Sequence, residues 1–424
     1  MDLQFIDAGR LRFQFLVFSI CTALALPLVG QEFEPDEQHQ RWARAVLSAV
    51  SQLESLQAAQ SDLAEMGYIR QAADRPIYNP EISTDYEDKS EREYAISLTQ
   101  TIDWSGKRSA RSRAAESALS SAEYRYSNVK NAMFASALYA LGEYEVARQY
   151  ADLSQQQVNL LQQLFDITES RFAVGDLGAL DVELARLSLS EALYAAARAS
   201  SELRIAQGLV ESEAGQIMIT PLPQFSSTQM PGINTIERLV DNIPEVREAQ
   251  YQFLNARDVV GIAESQRRAD PTVSLGSGKD GPDSVVALTL SIPLYVRNRY
   301  TAEVSASNEA ATAAELRYVN LRRIKLAELG AASESYRRLS EDFQRWQVVT
   351  EQRFDESREL LLLLWESGDI TTAEYVFGLQ QNVLAVRAGA SFSRDVFVAL
   401  ITWLESSGQA VSWLESISQQ TNSQ

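Results

Sequence analysis

Hydrophobic positions in the first half of the chain recur every seven residues along one long segment. Residues 105–172 contain no proline and only two glycines, so nothing in this stretch interrupts a helix. At 1.5 Å per residue the segment predicts a helix roughly 100 Å long. Two hydrophobic seams follow it, which indicates a packed neighbour on each side. The first seam comprises Val146, Leu153, Leu160, Ile167 and Val174, and the second comprises Val158, Leu161, Phe165, Thr168 and Phe172.

The same spacing predicts helices through most of the remaining sequence. Leu189, Ala196, Leu203 and Val210 repeat at seven residues, as do Val376, Val383, Ala390, Phe397 and Leu404. A proline-bearing stretch at residues 219–235 is predicted to be a non-helical linker, and residues 411–424 a C-terminal tail. The predicted helices are 41–73, 105–172, 179–215, 236–269, 299–366 and 371–407.

Four shorter segments alternate between apolar and polar or small residues, which is the period of β-strands. We predict strands at 80–88, 94–102, 271–278 and 285–294, forming two hairpins. One face of each strand would be apolar, and each segment has the length of a tilted strand in a membrane. Two soluble hairpins are the alternative, although an isolated hairpin is marginal in water. The residues expected to face lipid are Tyr94, Ile96, Leu98, Val286, Leu288 and Leu290.

Landmarks of the first half recur in the second half at a nearly constant distance. Pro80 and Pro271 are 191 residues apart, and Leu98 and Leu290 are 192 apart. The pair Gly175-Asp176 recurs as Gly368-Asp369, 193 residues later. Such agreement across different local chemistry indicates a duplicated architecture. We predict one repeat over residues 31–218 and a second over residues 236–410.

The two Gly-Asp pairs interrupt long helical sequence in the same way in both repeats. Each is predicted to be a turn between two helices, at the end of the helices farthest from the strands. Asp176 and Asp369 could place carboxylates around an entrance there. The alternative is that each aspartate merely caps the helix that follows it.

Four strands cannot close a barrel, and open strand edges are not tolerated in lipid. Eight strands are the fewest seen in such barrels, so several copies of the chain would have to share one sheet. Three copies would supply twelve strands and leave a water-filled bore.

The N-terminal residues 1–30 are predicted to be a secretory signal. Arg10 and Arg12 precede an apolar run, and cleavage after Ala25 or after Gly30 fits equally well. A permanent membrane anchor is the alternative. Cys21 is the only cysteine, and Ile20 before it does not fit a lipoprotein signal. The mature chain would therefore carry neither a lipid anchor nor a disulfide.

Charge and motif content argue against nucleic-acid binding and catalysis. The formal net charge is −19, which would repel phosphates. Residues 276–281 fit GxGxxG, but Pro282 and a strand follow instead of a helix. His39 is the only histidine, and neither HExxH nor GxSxG occurs. We expect no enzymatic activity, no cofactor and no metal site.

The sequence resembles the TolC-type outer-membrane efflux proteins along nearly all of the mature chain. The resemblance is carried by the two repeats, by RFAVGDLGALDVELAR at residues 171–186 and by SIPLYVRNR at residues 291–299. TIDWSGKRSAR at 101–111 and LSIPLYVRNR at 290–299 are most similar to the outer-membrane components of heavy-metal efflux systems of the cobalt-zinc-cadmium type.

The resemblance implies a mainly α fold with a small membrane β part, assembled as a homotrimer. The trimer would form a 12-stranded β-barrel in the outer membrane and an α-helical barrel in the periplasm. Its implied partners are outer-membrane lipid, a periplasmic adaptor (membrane fusion) protein and an inner-membrane pump of the RND type.

The resemblance also implies a gate at the periplasmic tip. Asp181 falls on the tip aspartate of the family, and Trp365 lies where an aromatic link residue is found. Ile370 departs from a link arginine of some members and Phe377 from an acidic partner, which favours packing over ion pairs. The implied tip residues are Gly175, Asp176, Asp181, Trp365, Gly368, Asp369 and Glu374.

These features together predict a passive exit duct of a tripartite efflux system, with heavy-metal cations as possible cargo. A duct for multidrug efflux or type I protein secretion is the alternative within this class. A periplasmic coiled-coil adaptor or structural protein is the alternative from another class. The four alternating strands favour the duct, because an adaptor needs no lipid-facing surface.

Overall fold

The computed structural model describes residues 37–88, 92–215, 233–280, 282–350 and 353–419. The predicted signal with Cys21, most of the predicted linker and the end of the predicted tail lie outside the described residues. The helices are α1 Glu37–Ser51, α2 Glu54–Ala73, α3 Lys107–Ala173, α4 Ala179–Ala214, α5 Ile233–Leu239, α6 Pro244–Gln266, α7 Thr301–Thr350, α8 Arg353–Glu366, α9 Thr372–Ser407 and α10 Ala410–Gln419. The strands are β1 Glu81–Asp88, β2 Arg92–Thr101, β3 Thr272–Asp280 and β4 Asp283–Ser291.

The chain is mainly helical with one small sheet, which confirms the prediction of a mainly α chain with a small β part. Helix α3 has 67 residues and runs from the strands to the first Gly-Asp turn. It packs against α4 along one part and against α6 and α2 along another. In the second repeat α7 packs against α6 and α9, and α8 packs against α9.

A core around the middle of α3, which we call the mid-helix core, holds the two repeats together. Phe134 and Leu138 of α3 are fully buried there, beside Leu400 and Leu404 of α9. Burial of each such side chain stabilises the fold by about 1.5–3 kcal/mol. Asn131 fixes the turn between α9 and α10: its side-chain amide donates to the Glu405 carbonyl at 3.0 Å, and its carbonyl oxygen accepts from the Ala410 N–H at 2.7 Å.

The predicted helix over 41–73 is two helices, α1 and α2. Leu53 between them has an extended backbone, with φ −64° and ψ 136°. Its side chain packs against the mid-helix core, and α1 turns to bury Trp42 and Val46 in that core. Since neither proline nor glycine marks the break, packing rather than local sequence causes it.

The predicted helix over 236–269 is also divided. Helix α5 and a short 3-10 turn precede Ile243, which is extended at φ −62° and ψ 132°. Helix α6 then begins at Pro244 in its first turn. Proline has no N–H to donate and disfavours a helical residue before it, so the break is physically expected.

Residues 411–424 are not simply a tail, because α10 occupies much of this stretch. Leu414 and Ile417 are buried in the mid-helix core. Trp413 packs edge-to-face against Trp42 of α1, with ring centroids 6.5 Å apart. The C-terminal segment therefore closes this core against α1.

The strands form one antiparallel sheet in the order β1-β2-β3-β4. The two hairpins are joined because β2 of the first repeat pairs with β3 of the second. In that pairing Leu98 lies opposite Leu275 and Thr99 lies opposite Ser274. The sheet thus unites the two repeats at one end of α3 and α7, opposite the Gly-Asp turns.

Candidate functional site

The two Gly-Asp pairs close their helices with the same hydrogen-bond pattern. At the end of α3 the Gly175 N–H donates to the Phe172 carbonyl at 3.0 Å, and the Asp176 N–H donates to the Arg171 carbonyl at 2.9 Å. At the end of α8 the equivalent donors Gly368 and Asp369 bond to Trp365 and Leu364 at 3.2 and 2.9 Å. Both turns are Schellman motifs.

Glycine is required at these turns because the backbone is left-handed. Gly175 has φ 81° and Gly368 has φ 80°. An L-residue with a Cβ atom is strained in this region, whereas glycine is not. The recurring glycine therefore reflects one backbone geometry that is used in both repeats.

The returning helices are capped by residues other than the two aspartates. The Gly178 N–H donates to Asp181 Oδ2 at 3.1 Å at the start of α4. At the start of α9 the Glu374 N–H donates to Thr371 Oγ1 at 3.2 Å, and the Thr371 N–H donates to Glu374 Oε2 at 2.8 Å. The second arrangement is a complete capping box. The alternative in which Asp176 and Asp369 cap these helices is therefore wrong.

Asp176 and Asp369 instead lie at the exposed surface of the turns. Asp176 Oδ2 is 3.9 Å from Arg171 Nε, and Asp369 Oδ2 accepts from the Ser367 hydroxyl at 2.8 Å. Glu374 is exposed, and hydrogen bonds from the backbone and hydroxyl of Thr371 hold its pKa below the usual value. All three carboxylates are thus accessible to solvent at the tip.

A small core, which we call the tip core, holds the two turns together. It combines residues of α3, α4, α8 and α9, so each repeat contributes both its outgoing and its returning helix. Such a core resists separation of the two repeats at this end. Its buried members are Leu161, Leu164, Ala185, Leu189, Ala192, Trp365, Tyr375, Val376 and Leu379.

Trp365 lies in the tip core, with only 2% of its surface exposed. Its ring stacks on Tyr375 at a centroid distance of 5.3 Å, and its Nε1 donates to Thr372 Oγ1 at 3.3 Å. Burial raises the pKa of the Tyr375 hydroxyl, with the nearby Glu366 charge as a further cause. Trp365 is therefore enclosed by its own chain rather than presented to a neighbour.

Arg171 connects the turn of the first repeat to that of the second. Its guanidinium carbon lies 5.2 Å from the centroid of the Trp365 ring. The position equivalent to Arg171 in the second repeat is Leu364, so this cation has no counterpart. Ile370 packs partly against the tip core, whereas Phe377 is exposed on α9.

The sheet has one apolar face and one polar face. Pairing places Ile82, Leu98, Leu275 and Leu288 in one row across all four strands. The six residues expected to face lipid share this face, and all six are exposed. Their exposure ranges from 50% at Leu98 to 74% at Val286 and Leu288.

The opposite face carries hydroxyl groups and glycines. Thr99 and Ser274 bring their hydroxyl oxygens to 2.7 Å, and Thr101 and Thr272 to 2.8 Å. A Cβ atom at Gly278 would lie 2.2 Å from the Tyr94 carbonyl oxygen, so glycine allows β3 to approach β2 there. This face is suited to contact with water.

A polar cluster, which we call the junction cluster, lies where the sheet meets α3. It consists of Tyr78, Ser105, Lys107 and Asp270. Lys107 Nζ is 2.8 Å from Asp270 Oδ2, the Tyr78 hydroxyl donates to the same oxygen at 2.9 Å, and the Ser105 N–H donates to Asp270 Oδ1 at 3.3 Å. The Asp270 side chain is only 2% exposed.

Burial and hydrogen bonding have opposite effects on the pKa values of Asp270 and Lys107 in the junction cluster. Burial acts to raise the pKa of Asp270, but the hydrogen bonds from Lys107, Ser105 and Tyr78 outweigh it and leave that pKa below its usual value. Burial likewise acts to lower the pKa of Lys107, but the bond to Asp270 and its charge leave it raised. Both groups are therefore held in their charged forms.

Sequence reasoning did not identify Arg171, Tyr375 or the junction cluster. Tyr375 directly precedes Val376 of the predicted seam, so the helical period could have located it. Arg171 could have been found by comparing the repeats, since it replaces a leucine. Lys107 and Asp270 are 163 residues apart and carry no local pattern.

Two features are absent from the residues that the structure describes. No described helix combines the length and the apolar character needed to cross a membrane. In the same residues, no group of three or more His, Cys, Asp or Glu side chains could hold a metal ion.

Residues 48–212 match the family model described as "Outer membrane efflux protein". The chain is 26% identical over 265 residues to the cobalt-zinc-cadmium resistance protein CzcC of Cupriavidus metallidurans, covering 58% of this chain and 61% of that protein. It is 25% identical over 240 residues to the nickel-cobalt-cadmium resistance protein NccC of Alcaligenes xylosoxydans xylosoxydans, covering 55% and 54%. The matched regions thus span less than two thirds of both relatives.

The fold is that of solved outer-membrane proteins. The outer membrane protein VceC of Vibrio cholerae superimposes with a TM-score of 0.72 at 16% identity, covering 88% of this chain and 97% of that one. The resemblance inferred from the two repeats and the turn motif is confirmed. Residues 48–212 are therefore similar to the outer membrane efflux protein family, and the fold of the chain is that of the TolC-type outer-membrane channels.

Proposed function

We propose that the chain is the outer-membrane exit duct of a tripartite efflux system. The observation that carries this proposal is the sheet, in which one face is apolar on all four strands while the other is lined by hydroxyl groups and glycines. In a transmembrane β-barrel the apolar face would contact lipid and the polar face would contact water. The long helices then extend from the membrane into the periplasm.

The duct forms only by assembly, as a homotrimer whose twelve strands close one barrel. A single sheet of four strands leaves two edges that lipid cannot satisfy. Exposed apolar side chains on the helices support the same conclusion: Leu180, Leu187 and Tyr194 recur every seven residues on α4 and are 58–71% exposed. Burial of this seam requires a neighbouring helix.

The tip core keeps the duct closed, and an adaptor opens it. A periplasmic adaptor protein contacts the Gly-Asp turns and separates the helices, while an RND-type inner-membrane pump supplies the energy. The exposed carboxylates Asp176, Asp369 and Glu374 then lie at the entrance. The chain contributes a path and no catalytic step.

Heavy-metal cations are the proposed cargo, because CzcC and NccC are named as resistance proteins for cobalt, cadmium, zinc or nickel. Cobalt, zinc and cadmium sensitivity of a deletion strain should be reversed by the wild-type gene. If the strain instead becomes sensitive to drugs, or loses secretion of a protein, the cargo assignment is wrong while the duct remains.

Single-channel conductance in planar bilayers tests the duct itself. We expect small, closed-state conductance for the wild type and larger or more frequent openings for Trp365→Ala and Asp181→Ala, which weaken the tip core and the start of α4. Thr312→Ala, on an exposed site near the sheet end of α7, is the control and should behave as wild type. Equal conductance of all four proteins would contradict gating at the tip, and absence of any conductance would contradict the duct.

A further inference from the structure

The two outer edges of the sheet are unpaired within the described residues. Strand β1 pairs only with β2, and β4 pairs only with β3. The repeat relates β1 to β3 and β2 to β4. The outer edge of β1 therefore corresponds to the edge of β3 that binds β2, and the outer edge of β4 to the edge of β2 that binds β3. The pairing of β2 with β3 inside the chain is therefore a template for the pairing of β4 of one copy with β1 of another.

The template can be used only if equivalent positions are known in the two repeats. Pro80 and Pro271, directly before β1 and β3, are equivalent at 191 residues. After β2 the Trp104 N–H donates to the Ile102 carbonyl at 2.9 Å, and after β4 the Val296 N–H donates to the Leu294 carbonyl at 3.0 Å. This shared bend makes Ile102 and Leu294 equivalent at 192 residues.

The two hairpins test these distances independently. Ser83 pairs with Ser97 in the first hairpin. Adding 191 to the first position and 192 to the second gives Ser274 and Thr289, which do pair in the second hairpin. Leu98-Thr99 also recurs as Leu288-Thr289, at 190 residues, but that distance would pair Ser274 with Ala287, which the structure does not show.

Three sheets in the order β1-β2-β3-β4 close into the one barrel proposed above only if β4 of each copy pairs with β1 of a second copy. We propose the register of that pairing: Ser291 lies opposite Ser83 of the second copy. This register follows from the internal pair Thr99 and Ser274, whose equivalents are Ser291 and Ser83. The inference rests on the proposed duct and specifies how its copies join. It places Thr289 opposite Asp85 of the second copy and keeps each sheet face continuous in chemistry across the seam.

The chemistry of the template pair is preserved. The hydroxyl oxygens of Thr99 and Ser274 are 2.7 Å apart on the polar face. Ser83 and Ser291 both carry hydroxyl groups on that face, as their pairing with Ser97 and Thr272 places them. A hydroxyl pair can therefore form again between copies.

The helices lead to the same arrangement. Helix α6 packs against both α3 and α7, whereas its equivalent α2 packs extensively against α3 alone. By the repeat, α2 of one copy should pack against α7 of another copy. The two copies that meet in this way are the same two that the β4–β1 pairing joins. Both helices carry exposed apolar side chains, namely Tyr68 and Ile69 on α2 and Leu316 and Val319 on α7.

Disulfide cross-linking tests the register in full-length protein carrying Cys21→Ser. Ser83→Cys with Ser291→Cys should yield covalent dimers and trimers on a non-reducing gel after mild oxidation, because directly opposed residues have Cα atoms within disulfide reach. Thr99→Cys with Ser274→Cys is the matched control and should form only an internal disulfide. Each single cysteine variant should give no covalent trimer.

The alternative outcomes overturn different parts of the inference. Cross-linking of Ser83→Cys with Thr289→Cys, and not with Ser291→Cys, would show a register shifted by two residues. Failure of both pairs in a protein that has a trimer's native mass would overturn this register but leave the duct. A monomeric native mass in detergent would overturn the inference and the proposed duct together.

Discussion

The guanidinium of Arg171 lies over the indole ring of Trp365, 5.2 Å from its centroid, and joins the end of α3 to the end of α8. The two residues are 194 positions apart and belong to different repeats. Their contact brings together the two Gly-Asp turns that the sequence places in separate halves. The tip therefore behaves as one packed unit rather than as two independent helical hairpins.

We expect Trp365→Ala to destabilise the tip much more than Arg171→Ala. Removal of the buried ring leaves a cavity beside Tyr375 and costs about 3–5 kcal/mol. Removal of the partly exposed cation costs about 0.5–1 kcal/mol. Hydrogen exchange of tip amides measures both, with the exposed Phe377→Ala as a control that should change little. Equal effects of the tryptophan and arginine variants would contradict the tip core.

Gly175→Ala and Gly368→Ala should each cost about 1–2 kcal/mol, because the left-handed backbone disfavours a Cβ atom. No atom lies within 4 Å of a Cβ built on either glycine, so the cost is conformational rather than steric. Gly330→Ala in α7 is the control and should stabilise by about 0.5–1 kcal/mol through helix propensity. Thermal unfolding followed by circular dichroism distinguishes the signs, and a stabilising change at either turn would refute the argument.

Thr371→Ala should cost about 1 kcal/mol by removing the cap of α9. The bonds from Thr371 hold the pKa of Glu374 below its usual 4.5, so this carboxylate stabilises the folded state at pH above 4.5 and loses that effect as pH falls through its folded pKa. In the variant, NMR titration should show the Glu374 pKa closer to 4.5. Thr402→Ala, on an exposed site of the same helix, should leave that pKa unchanged.

Asp270→Asn should destabilise the junction of sheet and helix by about 3 kcal/mol, at the low end for a buried ion pair, since Lys107 keeps some exposure. Asp270 has a pKa below its usual 3.8, and Lys107 has a pKa above its usual 10.5. The ion pair therefore stabilises the folded state to its full extent between pH 3.8 and pH 10.5. Its contribution falls as pH drops through the folded pKa of Asp270 or rises through that of Lys107.

Urea unfolding of the wild type and Asp270→Asn, from pH values below the folded pKa of Asp270 to values above that of Lys107, measures the effect. The two proteins should converge in stability at low pH, where Asp270 of the wild type is protonated. Glu202→Gln breaks the exposed pair with Arg198 and serves as a control with no measurable change. A constant difference between wild type and Asp270→Asn at all pH values would exclude an electrostatic role.

The sequence predicted long helices well because their period is repeated many times. Leu161 and Thr168 of the second seam are buried, as two packed neighbours require. Ile167 and Phe172 remain exposed in the single chain, and the proposed trimer predicts that they contact another copy. A hydrophobic seam indicates that a neighbour exists, but it does not tell whether that neighbour is in the same chain.

Features that depend on distant contacts were not predictable from local patterns. The break at Leu53 arises because α1 turns into the mid-helix core, and no proline or glycine in the sequence indicates a break there. The break before Pro244 did carry a signal, because a proline lay inside a predicted helix. The junction cluster joins Tyr78 to Asp270 across 192 residues, and these residues come together because β2 of the first hairpin pairs with β3 of the second.

The lipid assignment of the sheet can be tested with two neighbouring positions. Leu288 lies on the apolar face in the row with Leu98 and Leu275, whereas Thr289 pairs with Ser274 on the polar face. Leu288→Arg should cost about 2–4 kcal/mol in a bilayer, because the charge would have to enter the hydrocarbon region. Thr289→Arg places the same charge in water and should cost little. Urea unfolding in lipid vesicles measures both, and equal costs for the two arginines would mean that the apolar face does not contact lipid.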